Sequence, residues 1–344
     1  MSDIKISVII PTRDRPEKLT NTLVCLKWQN LASTDYEIIV VDDGSCPAVT
    51  LPQSDAGQIC RLVRTEGIER SAARNRGAAA ATGNLLVFVD DDMTVEPDFV
   101  AAHLRARGDW PDALVVGAIR LPDAAMAKPF PRVRQKLEQQ EVPRVRGITA
   151  ISNFCAAGNM SVPRDLFWGL GGFDSSLASG EDQDFALRHT ARGGRIAFLP
   201  EAAAIHCDNA LDIRSYCRRA QWGSEQIIPF CQLYPDWPDN VERERVNGPV
   251  QFAREPLSQS LRKVAKSVLA MKPLVACLFA VSALLEQIAP NSRALDRVYG
   301  LLLGAHIFRG YRKGLEQSAI KSRHSAALTV NGRSSSVGSL TSDH

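Results

Sequence analysis

Leu85-Leu86-Val87-Phe88-Val89-Asp90-Asp91-Asp92 passes from five consecutive apolar residues directly into three carboxylates. An apolar run without polar alternation predicts a strand covered on both faces, as in a parallel sheet packed between helices. In such open sheets, ligands bind beyond the carboxyl ends of the strands. The stretch therefore predicts both a class of fold and an acidic ligand site at one edge of its sheet.

The residues around this strand repeat the alternation of strand and helix. Residues 4–10 and 36–41 are apolar runs, and Leu19, Leu23 and Leu26 between them recur at helical spacing. Further strands are predicted at 61–64 and 113–119, and further helices at 71–81 and 99–107. This order predicts an α/β fold with a Rossmann-like, mostly parallel sheet and helices on both of its faces.

The three adjacent aspartates favour a metal site. Crowded carboxylates repel one another, which raises their pKa values unless a cation lies among them. Oxygen ligands of this kind suit Mg²⁺ or Mn²⁺ bound together with substrate phosphates. The alternative is a solvated acidic turn, but three aspartates that end a buried strand have no packing reason to be there.

A second acidic pair ends the preceding strand. Asp42 and Asp43 run into Gly44 and Ser45, so a carboxylate at this position can accept a hydrogen bond from a nucleobase N–H. The alternative is an ordinary turn stabilised by hydrogen bonds to the Asp side chain. The pair alone does not separate these interpretations.

Seven short motifs follow one another along the chain: Val8–Thr12, Ile39–Ser45, Ala73–Gly77, Phe88–Asp92, Gly158–Ser161, Gly171–Asp174 and Gly180–Asp184. Their order resembles that of family 2 glycosyltransferases over roughly residues 4–210. The resemblance implies a GT-A-type fold that binds nucleotide in its first half and acceptor in its second. It also implies inversion at the anomeric carbon of the transferred sugar.

The resemblance also implies roles for residues of the first half. Pro11, Thr12 and Arg13 would line the nucleoside pocket, Asp43 would contact the base, and Arg74 would lie near the nucleotide or its phosphates. Pro11, Thr12, Arg13 and Asp43 are predicted to lie at or just beyond the ends of strands, and Arg74 near the start of a helix. These are the places where ligands are expected in an open sheet.

The metal ligands follow in the same way. Asp90 and Asp92 would form the DxD pair, with Asp92 the direct ligand of Mn²⁺ or Mg²⁺ and Asp91 touching the ribose. His206 ends a short apolar segment, where some relatives supply a third ligand, and a neutral imidazole suits Mn²⁺. A lone histidine beside apolar residues is otherwise more often a packed residue than a ligand.

The catalytic base implied by the resemblance is Asp182. Inverting transfer needs one carboxylate to take the proton of the acceptor hydroxyl as its oxygen attacks the sugar. Glu181 and Asp184 would support this carboxylate. Acidic residues are also favourable in the first turn of a helix, and both interpretations can hold together.

The predicted domains are a catalytic domain over 1–255, a helical appendage over 256–318 and a disordered tail over 319–344. The catalytic domain divides into a nucleotide-sugar half, 1–120, and an acceptor half, 121–255. In the appendage, the apolar stretch 268–285 is too short and interrupted for a secure transmembrane span. Basic residues on both sides favour either peripheral membrane contact through 262–313 or a helical pair packed on the catalytic domain.

Composition limits the remaining classes. The 344 residues are 45% hydrophobic and carry a net charge of only +3, so nucleic-acid binding is not predicted. The eight cysteines have no CxxC spacing, and no secretory signal precedes the first strand, so reduced thiols and a cytoplasmic location are expected, with any membrane contact at the inner face.

The sequence thus predicts transfer from a UDP-, dTDP- or GDP-sugar to the hydroxyl of a glycan or a lipid-linked acceptor. Two rival classes stay open. A nucleotidyltransferase shares a similar sheet, but a Gly-rich phosphate loop would be expected where residues 11–15 lie. A non-catalytic binding scaffold would not need all of Asp90, Asp92 and Asp182.

Overall fold

A computed structural model describes residues 4–51, 59–140, 142–149, 155–208 and 211–334 of the chain, with side chains described to residue 321. The chain divides into two compact units, Met1–Asp212 and Ile213–His344. This division falls earlier than the domain boundary predicted at residue 255, so 213–255 groups with the helical appendage. Each unit is described by itself.

The described part of the first unit contains one sheet of nine strands. The strands are β1 (Ile6–Thr12), β2 (Tyr36–Asp43), β3 (Ile59–Thr65), β4 (Leu85–Val89), β5 (Met93–Val95), β6 (Ala113–Arg120), β7 (Gly147–Thr149), β8 (Asn159–Pro163) and β9 (Arg195–His206). Their order in the sheet is β3-β2-β1-β4-β8-β6-β9-β5, with β7 also paired to β9. Strands β3, β2, β1 and β4 are all parallel, which brings their carboxyl ends to one edge.

The second half of the sheet departs from this parallel pattern. Strand β8 runs antiparallel to both β4 and β6, and β9 pairs antiparallel with β5 and β7. Only β6 and β9 are parallel there. The antiparallel strands were not predicted from the sequence, since an apolar run does not reveal the direction of its neighbour.

Six helices of the first unit cover the sheet: α1 (Pro16–Lys27), α2 (Arg70–Ala80), α3 (Phe99–Asp109), α4 (Pro129–Glu138), α5 (Arg164–Gly169) and α6 (Glu181–Ala191). Alternate residues of β1 enter two different cores. Val8 and Ile10 pack in the cluster that contains Leu19, whereas Ile9 packs in the cluster that contains Ala73. The sheet is therefore buried on both faces, and the predicted fold class is confirmed.

One glycine sets how closely a helix approaches the sheet. A Cβ at Gly77 of α2 would lie 2.5 Å from a methyl of Ile9 and 2.9 Å from a methyl of Val41. The helix can lie this close to β1 and β2 because no side chain stands between them. This contact holds the start of α2, and with it Arg74, near the edge where the parallel strands end.

The described part of the second unit is helical, with α7 (Ile213–Gln226), α8 (Ile228–Leu233), α9 (Pro238–Asn247), α10 (Leu257–Leu269), α11 (Lys272–Ile288) and α12 (Arg293–Ser334). Helix α12 continues through residues 319–334, where a disordered tail was predicted, and residues 335–344 lie outside the described residues. Within the described chain no single helix has the length and apolarity to cross a membrane; α10 and α11 meet that test only together, with a 75° bend between them.

Candidate active site

The predicted acidic triplet lies at the carboxyl end of β4, next to the end of β1. Because these strands are parallel neighbours, Thr12 reaches Asp91, and its hydroxyl donates to Asp91 Oδ2 at 2.7 Å. Burial raises the pKa of Asp91 to about 6, although the bonds from Thr12 and Arg15 oppose the shift. Thr12, predicted to line a nucleoside pocket, is thus also a structural partner of the triplet.

Arg15 joins two members of the triplet, and sequence reasoning missed it. Its Nη1 lies 3.2 Å from Asp91 Oδ1 and 3.2 Å from Asp92 Oδ2. The guanidinium is more than half exposed, so the cation lies between the carboxylates and solvent. The available signal was its place in Arg13–Arg15, the short connection between β1 and α1 beside the end of β4.

His206 lies beside Asp92, the other side chain predicted as a metal ligand. Strands β5 and β9 are antiparallel, with Met93 opposite His206, and His206 Nε2 lies 3.3 Å from Asp92 Oδ1. Asp208 Oδ2 lies 3.6 Å from the same nitrogen. Asp92 and His206 are separated by more than 110 positions in the chain, so the pairing of β5 with β9 brings them together.

A buried arginine lies behind this histidine. Arg134 of α4 is fully buried and donates two hydrogen bonds to the Asp208 carboxylate, at 2.8 and 2.9 Å. Its Nη2 lies 3.5 Å from His206 Nδ1. Sequence reasoning missed both Arg134 and Asp208. The available signal was an arginine at position 134, one helical turn beyond the apolar residue Phe130.

Asp92 and His206 are the side chains that could hold a divalent cation at this site. Among the residues that the structure describes, no three His, Cys, Asp or Glu side chains converge as ligands. Asp92 and His206 do lie together. Mg²⁺ is usually held by one or two carboxylates while phosphates and water complete its shell, and an imidazole suits Mn²⁺. These two residues fit such a cation, whereas the carboxylate of Asp90 is engaged elsewhere. A metal role for Asp90 stays a prediction.

Arg74 engages Asp90 and ties it to the predicted base region. Its guanidinium is buried and donates to Asp90 Oδ1 at 2.6 Å and to Glu181 Oε1 at 2.9 Å. Burial alone would raise the pKa of Asp90, but Arg74 and Arg70 lower it to about 2. A Cβ at Gly158 would lie 2.7 Å from Asp90 Oδ2, so this glycine leaves room for the carboxylate. Arg74, predicted to lie near the nucleotide, here links two acidic motifs.

Asp182 is the second residue of α6, whose preceding residue Gly180 has φ +86°. Burial and the negative charge of Glu181 raise the pKa of Asp182 to about 7. Its Oδ1 accepts a hydrogen bond from the backbone N–H of Gln183 at 2.9 Å. Asp184 instead accepts two bonds from Arg188, at 2.6 and 2.9 Å, so its carboxylate stabilises the helix.

Asp42 and Asp43, which end β2, stabilise two separate turns. Asp42 is fully buried and accepts from the backbone N–H groups of Ser45 and Val49, which is the turn predicted as the alternative interpretation. Asp43 accepts from Thr65 Oγ1 at 2.6 Å and from the backbone N–H groups of Ile68 at 2.7 Å and Glu69 at 3.1 Å. Contact of Asp43 with a nucleobase stays a prediction.

The remaining predicted residues of the nucleoside pocket lie at the end of β1. Pro11 is buried within the strand, and Arg13 follows it with an exposed side chain. A Cβ at Gly67 would lie 3.3 Å from Arg13 Nη1, so the β3–α2 loop lies beside this guanidinium. The edge of the parallel strands thus carries both cations and carboxylates, as expected where a phosphate-bearing ligand binds.

The first unit is an open α/β sheet with an acidic triplet at the edge where its parallel strands end. Residues 7–171 match the model of the family described as Glycosyl transferase family 2. Residues 7–171 of the chain are therefore similar to a family 2 glycosyltransferase domain. This match agrees with the resemblance read from the motifs.

Curated relatives agree with this family. Validoxylamine A glucosyltransferase of Streptomyces hygroscopicus subsp. limoneus is 30% identical over 220 residues, which cover 55% of this chain and 48% of the relative. Pre-mycofactocin glycosyltransferase of Mycobacterium tuberculosis (strain ATCC 25618 / H37Rv) is 28% identical over 244 residues, covering 67% of this chain and 48% of the relative. The chain spans about half the length of these relatives.

A solved structure supports the fold. The mannosyltransferase PcManGT from Pyrobaculum calidifontis, in complex with GDP-Man and Mn²⁺, superposes with a TM-score of 0.54 at 18% identity. The alignment covers 91% of this chain and 89% of that chain. At this identity the likeness establishes the GT-A-type fold alone.

Proposed function

We propose that the protein is a metal-dependent, inverting glycosyltransferase that moves a sugar from a nucleotide diphosphate sugar to an acceptor hydroxyl. One observation carries the proposal. The triplet and the Gly180–Asp184 motif together contain six carboxylates, and five of them are ion-paired to arginine: those of Asp90, Asp91, Asp92, Glu181 and Asp184. Among the described residues Asp182 accepts only from the backbone N–H of Gln183, so its carboxylate can take a proton.

The transfer proceeds as a single displacement. The acceptor oxygen forms a bond to the anomeric carbon while the bond from that carbon to the diphosphate oxygen breaks, and Asp182 receives the hydroxyl proton. The carbon inverts because attack and departure occur on opposite faces. A pKa of about 7 suits a general base near neutral pH. A divalent cation held by Asp92 and His206, when bound, would neutralise charge on the departing diphosphate.

The donor and acceptor belong to the same proposal. The donor is a UDP-, dTDP- or GDP-sugar, and the GDP-Man and Mn²⁺ of the mannosyltransferase neighbour support this class of donor. The acceptor is a glycan or a lipid-linked saccharide in polysaccharide or glycoconjugate assembly. Peripheral contact with the inner face of the cytoplasmic membrane through 262–313 completes the proposal.

Exchange of the base for its amide tests the mechanism. We expect Asp182→Asn to lose sugar transfer almost completely while calorimetry records unchanged nucleotide binding. Asp165→Asn is a matched control, since Asp165 is an exposed aspartate at the start of α5. Transfer that survives in the Asp182 variant would remove the assignment of the base.

The nucleotide and the metal are tested together by calorimetry with UDP, dTDP and GDP, each with and without Mn²⁺. We expect one nucleotide to bind, at least tenfold more tightly with Mn²⁺. Asp92→Ala should abolish the effect of Mn²⁺. Binding of a nucleotide without any transfer by the wild-type chain would favour the non-catalytic scaffold instead.

A further inference from the structure

Helix α10 of the second unit exposes its apolar face and buries its polar face, which is the reverse of an ordinary surface helix. Leu257, Leu261, Val264 and Val268 recur at spacings of four, three and four residues, and they are 68, 57, 40 and 48% exposed. The opposite face buries Ser260, at 0% exposure, although surface helices normally turn their apolar stripe to the core. A stripe of this regularity that faces solvent indicates a surface with a partner.

The buried polar face has its own partners, so the helix is held in this orientation. Lys263 is 4% exposed and donates to Glu255 Oε2 at 2.5 Å and to the Pro249 carbonyl at 3.0 Å. Ser260 donates to the other oxygen of Glu255 at 2.8 Å. Rotating α10 to bury its leucines would break these bonds and leave the Glu255 charge unpaired.

Helix α11 continues the exposed apolar surface. It buries Val275 and Phe279 but exposes four large side chains at helical spacing, those of Leu274, Val281, Leu284 and Ile288. Met271, between the two helices, is 54% exposed. Nine of the 24 exposed large apolar side chains among the described residues therefore lie within residues 257–288, which is about a tenth of the chain.

The charge of this segment selects its partner. Residues 256–285 contain no Asp or Glu. Arg262 and Lys272 are exposed beside the apolar stripe, whereas Lys263 is neutralised by Glu255 and Lys266 donates to Asn247 Oδ1 at 3.3 Å. Each basic side chain near an anionic lipid surface attracts it. A second copy would present the same cations in a symmetric contact, because a two-fold interface pairs a patch with itself. The charge therefore favours lipid.

We propose that the apolar stripe of α10, extended by that of α11, binds an anionic membrane surface with α10 lying in the plane of the interface. The leucine and valine side chains enter the boundary between headgroups and acyl chains, and Arg262 and Lys272 contact the headgroups. The inference rests on the membrane contact in the proposed function. It does not depend on the transfer reaction, because it needs neither donor nor metal.

Vesicle co-sedimentation of the full chain tests the surface. We expect binding to vesicles of phosphatidylcholine with 30% phosphatidylglycerol, and much weaker binding to phosphatidylcholine alone or at high salt. The triple variant Leu261→Gln, Val264→Thr, Val268→Thr should lose about a hundredfold in partitioning or more. Leu233→Gln with Val241→Thr is the matched control, since both side chains are at least half exposed in the same unit.

The outcomes separate the sources of failure. All the substituted side chains are exposed, and circular dichroism checks that each variant stays folded. Equal vesicle binding by the triple variant and the wild type would overturn the proposal. If the wild-type chain does not bind vesicles but dimerises through this stripe, the partner is a second copy and the proposal is overturned. Calorimetry with nucleotide reports the donor site separately, so failure here leaves the proposed transfer standing.

Discussion

Replacement of Arg74 by glutamine is expected to be among the most damaging single changes in the first unit. Arg74 is buried and binds Asp90 and Glu181 at the same time. Glutamine keeps much of the length of the side chain but removes the charge that both carboxylates require. Both acids would then lose the buried guanidinium that binds them, and the more distant charge of Arg70 would act on Asp90 alone.

The magnitude follows from the pKa of Asp90, which falls from 3.8 to about 2 in the folded chain. At 1.36 kcal/mol per pKa unit, this shift corresponds to about 2 kcal/mol of stability. Because the folded pKa is depressed, that stability is present above pH 4 and is lost as the pH falls toward 2. Loss of the partner of Glu181 adds to it, so we expect about 3–5 kcal/mol at pH 7, as for other broken buried pairs.

Amide hydrogen exchange in strand β4 is the assay, because the chain has two compact units that need not unfold together. Arg105→Gln is the matched control, since its exposed pair with Asp98 should contribute less than about 1 kcal/mol. A loss in the Arg74 variant no larger than in this control would refute the reasoning. So would a loss that is equally large at pH 7 and pH 3, since the Asp90 contribution must shrink on acidification.

Two further predictions concern the site. With Asp182 as base and a pKa of about 7, kcat/KM should fall about tenfold per pH unit below pH 7, and Glu181→Gln should move this limb to lower pH because it removes a neighbouring negative charge; a limb that does not move would contradict the assignment. Arg134→Gln should weaken Mn²⁺ binding in the presence of nucleotide by about tenfold to a hundredfold, since Arg134 holds Asp208 beside His206. A Mn²⁺ titration followed by electron paramagnetic resonance measures this affinity directly. We expect Arg134→Lys to recover part of it. Unchanged Mn²⁺ affinity in both variants would exclude a positioning role for Arg134.

The sequence predicts the fold well where one strand carries its own signal. Residues 85–92 contain both the apolar run of a buried strand and the acids that end it, and the structure has β4 at Leu85–Val89. The direction of β8 was not accessible, because the short sequence Asn159–Pro163 fits a strand of either direction. Pairing direction depends on the connections between strands.

Partners of charged residues were harder to predict than the residues themselves. Asp92 and His206 could be named from motifs, but Arg134 and Asp208 lie 74 positions apart and belong to no motif. Likewise, Asp43 reads as a free ligand-binding carboxylate in sequence, whereas the fold engages it with the loop that follows β3. A charged residue at a strand end thus predicts a site, but only the tertiary fold determines which charges neutralise each other.

The distribution of cations explains how several adjacent acids can have different chemistry. Arg74 keeps Asp90 ionised, with a pKa of about 2, and Arg15 lies between Asp91 and Asp92 on the solvent side. A diphosphate that arrives at this edge would bring negative charge of its own. In the proposed mechanism that charge would be offset by Arg15 or by a divalent cation held by Asp92 and His206. In both cases the compensation occurs on the donor side of the site. Asp182 has no ion pair among the described residues, so in the proposed mechanism its carboxylate remains available to the acceptor. The separation of these two roles is therefore set by where the arginines lie, more than by where the aspartates lie.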